Sequence, residues 1–330
     1  ELRSVLEIKR EALSSKLWAF ETLPQKELAE RYEWQKDTLQ KLGLLETLSH
    51  GELGIKAIDG KEYAYPSLQE IRRSMMAYKE TLKPKMEQGF RIPVIVPFGM
   101  KMDDFIQKYR QVILEHHKEG KLLAAKKNPS EPDEPLALDE TTPVWVWDKY
   151  PNADVSGELV YDPEKLPSTS DEPNAVKRKS LSKGKTKQQI IDIEGGFRLL
   201  LLEDLPNIPR NGNGKEISGR KQPEAGATPQ QYLEETKTNP QYASESGMTP
   251  EEQILSAILH LEDKNEVIDD YQGNGSISYQ IGAYFPASGR MPCAYWDRGG
   301  AQAGLGRGDP GDSGSGRGVR GAVRVPLLKT

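Results

Sequence analysis

Cysteine and histidine are scarce in this chain of 330 residues, which has one cysteine and four histidines. The single cysteine, Cys293, excludes a disulfide framework and a thiolate metal cluster. His116 and His117 are adjacent, so on a helix their side chains diverge by about 100° and cannot share a metal ion. His50 and His260 are remote from them in sequence. We therefore expect no histidine metal site and no metal or other cofactor.

Long apolar runs are also absent. The longest, FRLLLL at 197–202, has the length of a strand, whereas a membrane-spanning helix needs roughly 20 apolar residues. The first residues do not have the pattern of a signal peptide, so we expect none, and the compartment is left open. The net charge of −5 gives no overall attraction to nucleic acid. Hydrophobic residues make up 36% of the chain and there are 23 prolines, which predicts a loop-rich protein.

The pattern of residues 1–85 predicts a mainly helical N-terminal region with one β-hairpin. Apolar residues recur at helical spacing over 5–20, and a second helix is expected over 24–43. The pair Asp59-Gly60 lies between two alternating segments, which indicates a hairpin with a type I′ turn.

A third helix is expected after Ser67, because Ser67 and Glu70 have the spacing of a capping box. We expect this helix to end before Pro84, since proline interrupts a helix interior. A domain boundary is placed near Lys85, and residues 86–326 are expected to form the second, larger domain.

The second domain reads as α+β. A helix is predicted over 102–113, and another begins at Thr249, with Pro250 and Glu252 in the positions of N1 proline and capping-box glutamate. Residues 163–187 are expected to form a long polar loop. Strands are expected in RIPVIVPFG (91–99), PVWVWDKY (143–150), GELVYDP (157–163), GGFRLLLLEDL (195–205) and SISYQIGAYFP (276–286).

Several short motifs suggest chemistry but lack its context. Cys293 has no nearby base or oxyanion motif, so we expect a small buried residue rather than a nucleophile. The basic segment Lys177–Lys187 lacks the glycine spacing of a phosphate-binding loop and reads as a solvated loop. Asp309 and Asp312 are too few for a calcium site, so a turn is expected there.

For two further features the sequence predicts ordinary packing or leaves packing as one of two alternatives. Trp145 and Trp147 alternate along a strand, which places both on one face, and we expect core packing for them. The N-terminal helices could form a docking or oligomerisation surface, or could pack beneath the second domain, and the sequence leaves both open.

The C-terminal segment has an unusual composition. After Glu266 neither lysine nor glutamate occurs until Lys329, although both are abundant before it, whereas a solvated disordered tail would be expected to carry them. Large apolar residues lie at the ends of the segment, at Trp296 and over 319–325. We therefore expect a folded segment that is anchored at both ends, with small or polar residues exposed between.

This segment, AYWDRGGAQAGLGRGDPGDSGSGRGVRGAVRV, resembles the variable region of proteins that diversity-generating retroelements diversify. The resembling parts are Trp296, Gly299-Gly300, Ala303–Leu305, Asp309–Ser315 and Gly318-Val319-Arg320. A looser resemblance to archaeal, bacterial and phage members extends over Gln88–Val325. It implies a C-type lectin fold of the formylglycine-generating-enzyme type, with helices at Lys101 and Thr249 and paired terminal strands at Arg91 and Val319.

The resemblance also implies a codon pattern, because these retroelements vary the two adenines of AAC codons and yield NNC codons. Such codons cannot encode Lys, Glu, Gln, Met or Trp. Residues 297–321 contain none of these except Gln302, which we take as a fixed scaffold position.

The function implied is that of a binding protein with a hypervariable surface, not an enzyme, whose partner is another macromolecule, most simply a protein. A formylglycine-generating-like enzyme, or a structural protein with a disordered glycine-rich tail, are the alternatives. The variable region is expected over about 290–325. The expected variable, ligand-binding positions are Tyr295, Asp297, Gly299, Gly300, Ala301, Gly304, Gly306, Arg307, Gly308, Gly311, Ser313, Ser315 and Arg317.

Overall fold

The computed structural model describes residues 25–126 and 130–328, which form a mixed α+β structure. The expected helix over 5–20 lies outside the described residues. The helices are α1 (Gln25–Lys41), α2 (Leu68–Ala77), α3 (Lys79–Glu87), α4 (Met102–Lys118), α5 (Ala153–Ser156), α6 (Ala175–Ser182), α7 (Lys187–Glu194), α8 (Pro229–Thr238) and α9 (Pro250–Lys264), and a 3-10 turn spans Pro240–Tyr242.

The strands are short, and most belong to two sheets. They are β1 (Glu46–Thr47), β2 (Leu53–Lys56), β3 (Glu62–Ala64), β4 (Phe90–Val96), β5 (Val144–Val146), β6 (Val160–Tyr161), β7 (Arg198–Glu203), β8 (Glu216–Ile217), β9 (Arg220–Lys221), β10 (Ser246–Gly247), β11 (Ile277–Tyr279), β12 (Ala283–Tyr284), β13 (Met291–Asp297), β14 (Gln302–Gly308), β15 (Arg317–Val319) and β16 (Gly321–Val325).

The predicted hairpin is confirmed, because β2 and β3 pair antiparallel beside β1. Its turn type was predicted wrongly. Gly60 has a φ of +76°, but Asp59 does not have the positive φ that a type I′ turn also requires. The Asp59 carboxylate instead accepts the Lys61 N–H at 3.0 Å, which holds the turn in another geometry.

The capping box at Ser67 and Glu70 is confirmed at the start of α2. The predicted end of this helix was wrong, because α2 ends at Ala77 and a separate helix, α3, contains Pro84. The break at Tyr78 turns α3 so that Leu82 and Met86 are buried. Burial of those two side chains offsets the one hydrogen bond that Pro84 cannot donate.

The four-stranded sheet has the order β10-β16-β7-β4 and is antiparallel throughout. The predicted pairing of the terminal strands was wrong: β4 and β16 share this sheet, but β7 lies between them, and Val319 belongs to β15 of the other sheet. Residues Leu199–Leu202 of β7 are buried, and a strand that is apolar on both faces is stabilised most at the centre of a sheet.

The five-stranded sheet has the order β15-β11-β13-β14-β5 and contains the glycine-rich tail. β13 and β14 form a hairpin from Met291↔Gly308 to Asp297↔Gln302. The outer strands β5 and β15 pair parallel to β14 and β11. The tail is therefore folded into the sheet, with Trp296 anchored as expected at 1% exposure.

One large hydrophobic cluster joins both sheets to α4 and α9, which pack against each other. It also includes Leu28, Tyr32 and Leu39 of α1, so buried side chains before and after Lys85 belong to the same cluster. The division into two domains stays a prediction.

Two predictions for the middle of the chain were wrong. The region 163–187, expected to be a loop, contains α6, whose Asn174 side chain caps it by accepting the Lys177 N–H. Trp145 was expected in the core together with Trp147. Because β5 ends at Val146, Trp147 is buried against Phe285 while Trp145 is 42% exposed.

The first turn of α9 is tied to distant parts of the chain by three consecutive buried polar side chains. Glu251 accepts from Tyr161 and pairs with Lys187. Glu252 pairs with Arg198 and Arg324, which also share Asp162.

The third side chain of this turn, Gln253, donates to Asp269, which in turn pairs with Arg320 of the segment that joins β15 to β16. This turn thus links α9 to β6, α7, β7 and β16. Acidic residues are also favourable at a helix N-terminus.

Substitution of Arg324 tests the contribution of this network to stability. Burial raises the pKa of Asp162, but Arg324 and Arg198 hold it below its ordinary value, so its contribution is present above about pH 4 and lost as the pH falls through the lowered pKa. We expect Arg324→Gln to lower the free energy of unfolding by about 3–5 kcal/mol near pH 7. The difference from the wild type should shrink toward pH 3, because protonated carboxyls no longer need the guanidinium.

Denaturant titrations at several pH values measure this, with Arg317→Gln as the control. The Arg317 side chain is 39% exposed, pairs with Asp312 at 3.5 Å and hydrogen-bonds the Tyr279 side chain, so its loss should cost at most about 1 kcal/mol. An Arg324→Gln effect of the same size and independent of pH would contradict the assigned role.

A second expectation concerns Trp296. Its replacement by Ala should cost about 3–5 kcal/mol, because a fully buried ring leaves a cavity that the sheet cannot close. Trp145→Ala is the matched control, with an expected loss near 0.5 kcal/mol. Equal melting temperatures for both variants would show that the tail is not anchored through Trp296.

Candidate functional site

The five-stranded sheet has two unlike faces. Trp296, Ala303 and Leu305 point to the large core. On the opposite face, one half is covered by a second hydrophobic cluster that includes Tyr232 and Leu233 of α8. The other half is open, and the candidate site lies there.

Three aromatic side chains form what we call the aromatic patch: Trp145, Tyr271 and Tyr295. The rings of Tyr271 and Tyr295 meet edge to face, with centroids 6.0 Å apart. Gly306 lies between Tyr295 and Trp145, since a Cβ at Gly306 would be 3.6 Å from the first ring and 3.7 Å from the second. The patch thus has rings side by side on a glycine floor.

Tyr295 stays a neutral hydroxyl. Burial, with added effects of Cys293 and Asp297, raises the pKa of Tyr295 to about 12. Within the described part of the chain its hydroxyl has no hydrogen-bond partner, so it is free to donate to a ligand.

The loop between β13 and β14 stands beside the patch and is held from below. The Arg298 guanidinium makes 2.6–3.0 Å hydrogen bonds to the buried Asp270 carboxylate and also pairs with Glu134. The Ala301 carbonyl accepts from the Asp139 N–H at 2.7 Å. Gly299 at the tip donates to Gln272. The backbone is therefore fixed while the tip faces solvent.

The second tail loop, between β14 and β15, is also pinned. Asp309 pairs with Arg290 at 2.7 Å and accepts the Gly311 N–H, which confirms the expected turn. Tyr279 donates to the carbonyl of Asp312 at 3.2 Å. Ser313 and Ser315, which follow, are exposed.

Ten of the thirteen expected variable positions are exposed or half-buried in the structure. They are Tyr295, Asp297, Gly299, Gly300, Ala301, Arg307, Gly311, Ser313, Ser315 and Arg317. Arg307 is exposed, with its guanidinium 5.4 Å from the ring of Trp147 and no acidic partner in the described ranges.

The expected exposure is wrong for the remaining three, because Gly304, Gly306 and Gly308 are buried. They pair in register with Tyr295, Cys293 and Met291, whose larger side chains on the neighbouring strand cover them. The buried glycines of β14 therefore form the floor beneath the aromatic patch, and the two tail loops form the exposed surface.

Sequence reasoning missed the contributions from outside the tail. Tyr271 and Gln272 lie in the glycine- and asparagine-rich segment DDYQGNGS, and Trp145 was assigned to the core. A loop composition of this kind is the only local signal that could have pointed to Tyr271 and Gln272.

Two observations bear on whether this face of the sheet could carry out a reaction, namely the state of the Cys293 thiol and the search for metal-binding groups. Burial raises the pKa of the Cys293 thiol to about 12, so the sulfur stays protonated and covered. Among the described residues no group of three or more His, Cys, Asp and Glu side chains could hold a metal ion. No described helix is long and apolar enough to cross a membrane.

A cleft of about 360 Å³ lies apart from the patch, lined by α1, β4, β7 and α9 residues. It includes Arg31 and His260, and the pKa of His260 is lowered to about 4 by burial and by Arg320. None of the three patch residues lines it.

Comparison with protein-family models, with curated proteins and with solved structures returned no match for this chain. The candidate site is therefore argued from its own geometry.

The floor and the loops should respond differently to substitution. A Cβ at Gly308 would lie 2.4 Å from Met291 Cε and 2.8 Å from Tyr279 Cε1, both buried, so Gly308→Ser should cost about 1–3 kcal/mol. Ser313→Tyr and Ser315→Tyr, as exposed counterparts, should stay within about 0.5 kcal/mol. Thermal unfolding of the three variants measures this, and equal losses would refute the division into floor and surface.

Proposed function

We propose that this chain is a binding protein, not an enzyme, that displays a retroelement-diversified surface on a C-type lectin scaffold of the formylglycine-generating-enzyme type. The observation that carries the proposal is the location of the aromatic patch. It adjoins the β13–β14 loop, and Tyr271 links it to the second tail loop: a Cβ at Gly316 would lie 3.0 Å from that ring.

Diversification needs positions that change without loss of the fold, and the two tail loops have that character. Their tips are exposed, while Arg298 and Asp309 fix the backbone through ion pairs. Arg298 is absent from the expected variable set, in keeping with its ties to Asp270 and Glu134. The codon pattern of residues 297–321 supports the same proposal.

The scaffold assignment is supported by the packing of α4 against α9 and by strands from both ends of the body in one sheet. The insertion of β7 between β4 and β16 departs from the expected pairing. The assignment therefore stays a proposal.

The partner we propose is a protein. The patch is an open face rather than a deep pocket, and enclosed small-molecule sites bury most of their ligand. Tyrosine and tryptophan are among the residues that supply most hot spots in protein interfaces, and Tyr271, Tyr295 and Trp145 are of these types. Gly299 and Gly311 have no side chains to contribute, so the binding energy is left to these aromatic residues.

Two display libraries of equal size test the proposal. The first randomises six exposed or half-buried tail positions, namely Asp297, Gly299, Arg307, Gly311, Ser313 and Ser315. The control randomises six exposed positions of α4 and its C-cap, namely Asp104, Gln107, Gln111, Glu115, Lys118 and Glu119. We expect binders to unrelated proteins from the tail library at a much higher frequency, with melting curves nearly unchanged.

In the selected binders, Trp145→Ala and Tyr271→Ala should weaken affinity by about tenfold or more, because the patch supplies the constant anchors. Binders arising as often from the α4 library would show that the tail is not a privileged surface. If neither alanine substitution weakens the affinity of the selected binders, the aromatic patch is not part of the binding site.

A further inference from the structure

Lys187 is a fully buried lysine held between two carboxylates. Its Nζ is 2.7 Å from Asp154 Oδ2 and 3.0 Å from Glu251 Oε1, and the three side chains are 0–1% exposed. Lys187 begins α7, Asp154 lies in α5, and Glu251 lies in the first turn of α9. Sequence analysis had assigned Lys187 to a solvated basic loop, so its burial corrects that expectation.

Lys187 Nζ also donates to the Met100 carbonyl at 2.5 Å, so the amine has three acceptors, whereas each of the two carboxylates keeps one oxygen without a partner among the described residues. The Nζ lies 5.3 Å from the centroid of the Phe98 ring, and Tyr161 donates to Glu251 Oε1 at 2.6 Å. The other oxygens, Asp154 Oδ1 and Glu251 Oε2, are buried and have no hydrogen-bond partner within residues 25–126 and 130–328. A purely structural ion pair normally has its buried oxygens satisfied, so these two need another explanation.

We propose that Lys187 and Asp154 join through an intramolecular amide bond that the folded chain forms by itself, with Glu251 as the proton carrier. This proposal is independent of the binding function. A nucleophile, an acceptor carboxyl and a second carboxyl in one water-excluded site are the groups that amide formation requires.

The step balances without any co-reactant. The Lys187 ammonium passes a proton to Glu251, and the free amine attacks Cγ of Asp154 to form the C–N bond. Glu251 returns that proton to Oδ1, and a second proton follows from the nitrogen by the same route. The C–Oδ1 bond breaks, one water molecule leaves, and Glu251 ends as it began. The linked product places one neutral amide in this buried site, where the ion pair placed two charges.

The geometry selects Asp154 as the acceptor. Its Oδ2 receives the Met102 N–H at 2.9 Å, which stabilises charge on that oxygen during attack and later holds the amide carbonyl. Its Oδ1, the oxygen without a partner, is free to leave. Glu251 lies farther from Nζ, and its Oε1 is held by Tyr161, which suits a proton carrier.

The chain contains an internal control. Lys85 is also buried and lies 2.7 Å from Glu245 Oε1. Arg220, however, donates to both oxygens of Glu245 at 2.7 Å. Among the described residues, the only other hydrogen-bond acceptor of Lys85 Nζ is the Gln241 carbonyl. Within the described ranges Lys85 thus has no second carboxyl beside it to carry protons, and both oxygens of Glu245 are occupied by Arg220. We expect Lys85 to stay unmodified.

The experiment measures the intact mass of the purified wild-type chain and maps its tryptic peptides. We expect a mass lower than that of the sequence by one water molecule. Trypsin should fail to cleave after Lys187, and peptides 150–165 and 186–198 should be recovered as one linked species. Cleavage after Lys85 should be ordinary in the same digest.

Two variants assign the roles. Lys187→Arg should have the full mass, and Glu251→Gln should form the link more slowly by roughly 100-fold or more. A full wild-type mass with cleavage at Lys187 overturns the proposal, as does a water loss that maps elsewhere. A link that forms in Glu251→Gln at the wild-type rate overturns the role of Glu251. If either variant fails to fold, the wild-type peptide map still decides whether the link exists.

Discussion

The first turn of α9 is the constraint on which the rest of the structure depends. Glu251, Glu252 and Gln253 are buried at successive positions, so their side chains leave the helix in different directions. Each meets a different distant segment of the chain. Buried charges are tolerated only when paired and hydrogen-bonded, so these pairings fix the relative positions of β6, α7, β7 and β16 in one arrangement.

This fixed interior explains how a glycine-rich segment can be part of a folded sheet. Strand β14 contributes few side chains of its own, and glycine gains little from burial. The neighbouring strand supplies the missing volume, since Tyr295, Cys293 and Met291 lie over Gly304, Gly306 and Gly308. The strands of the tail are thus packed, while the tips of its loops are exposed to solvent. The aromatic patch forms at the boundary between the two.

Local features were predictable from sequence, and long-range partners were not. The capping boxes at Ser67 and Thr249 could be read directly, because the interacting residues are three positions apart. The anchoring of Trp296 followed from composition. Lys187 illustrates the limit, since within a basic segment nothing local reveals that Asp154 and Glu251 enclose it.

The site was predictable in part for the same reason. The tail loops could be located from their composition, whereas Tyr271 and Trp145 join them only through the folding of the sheet. Alternation placed Trp145 beside Trp147, but the end of β5 at Val146 separates their environments. The buried glycines of β14 could not be foreseen, because their cover comes from the partner strand.

The position of β16 has a consequence for synthesis. This strand lies inside the four-stranded sheet, between β10 and β7, and follows the two tail loops in the chain. A ribosome must therefore read through the whole segment in frame before Arg320 and Arg324 can complete the buried network. A premature stop or a shifted frame in that segment yields a chain without its central strand. Only a chain that is translated in frame through both tail loops can therefore complete the four-stranded sheet.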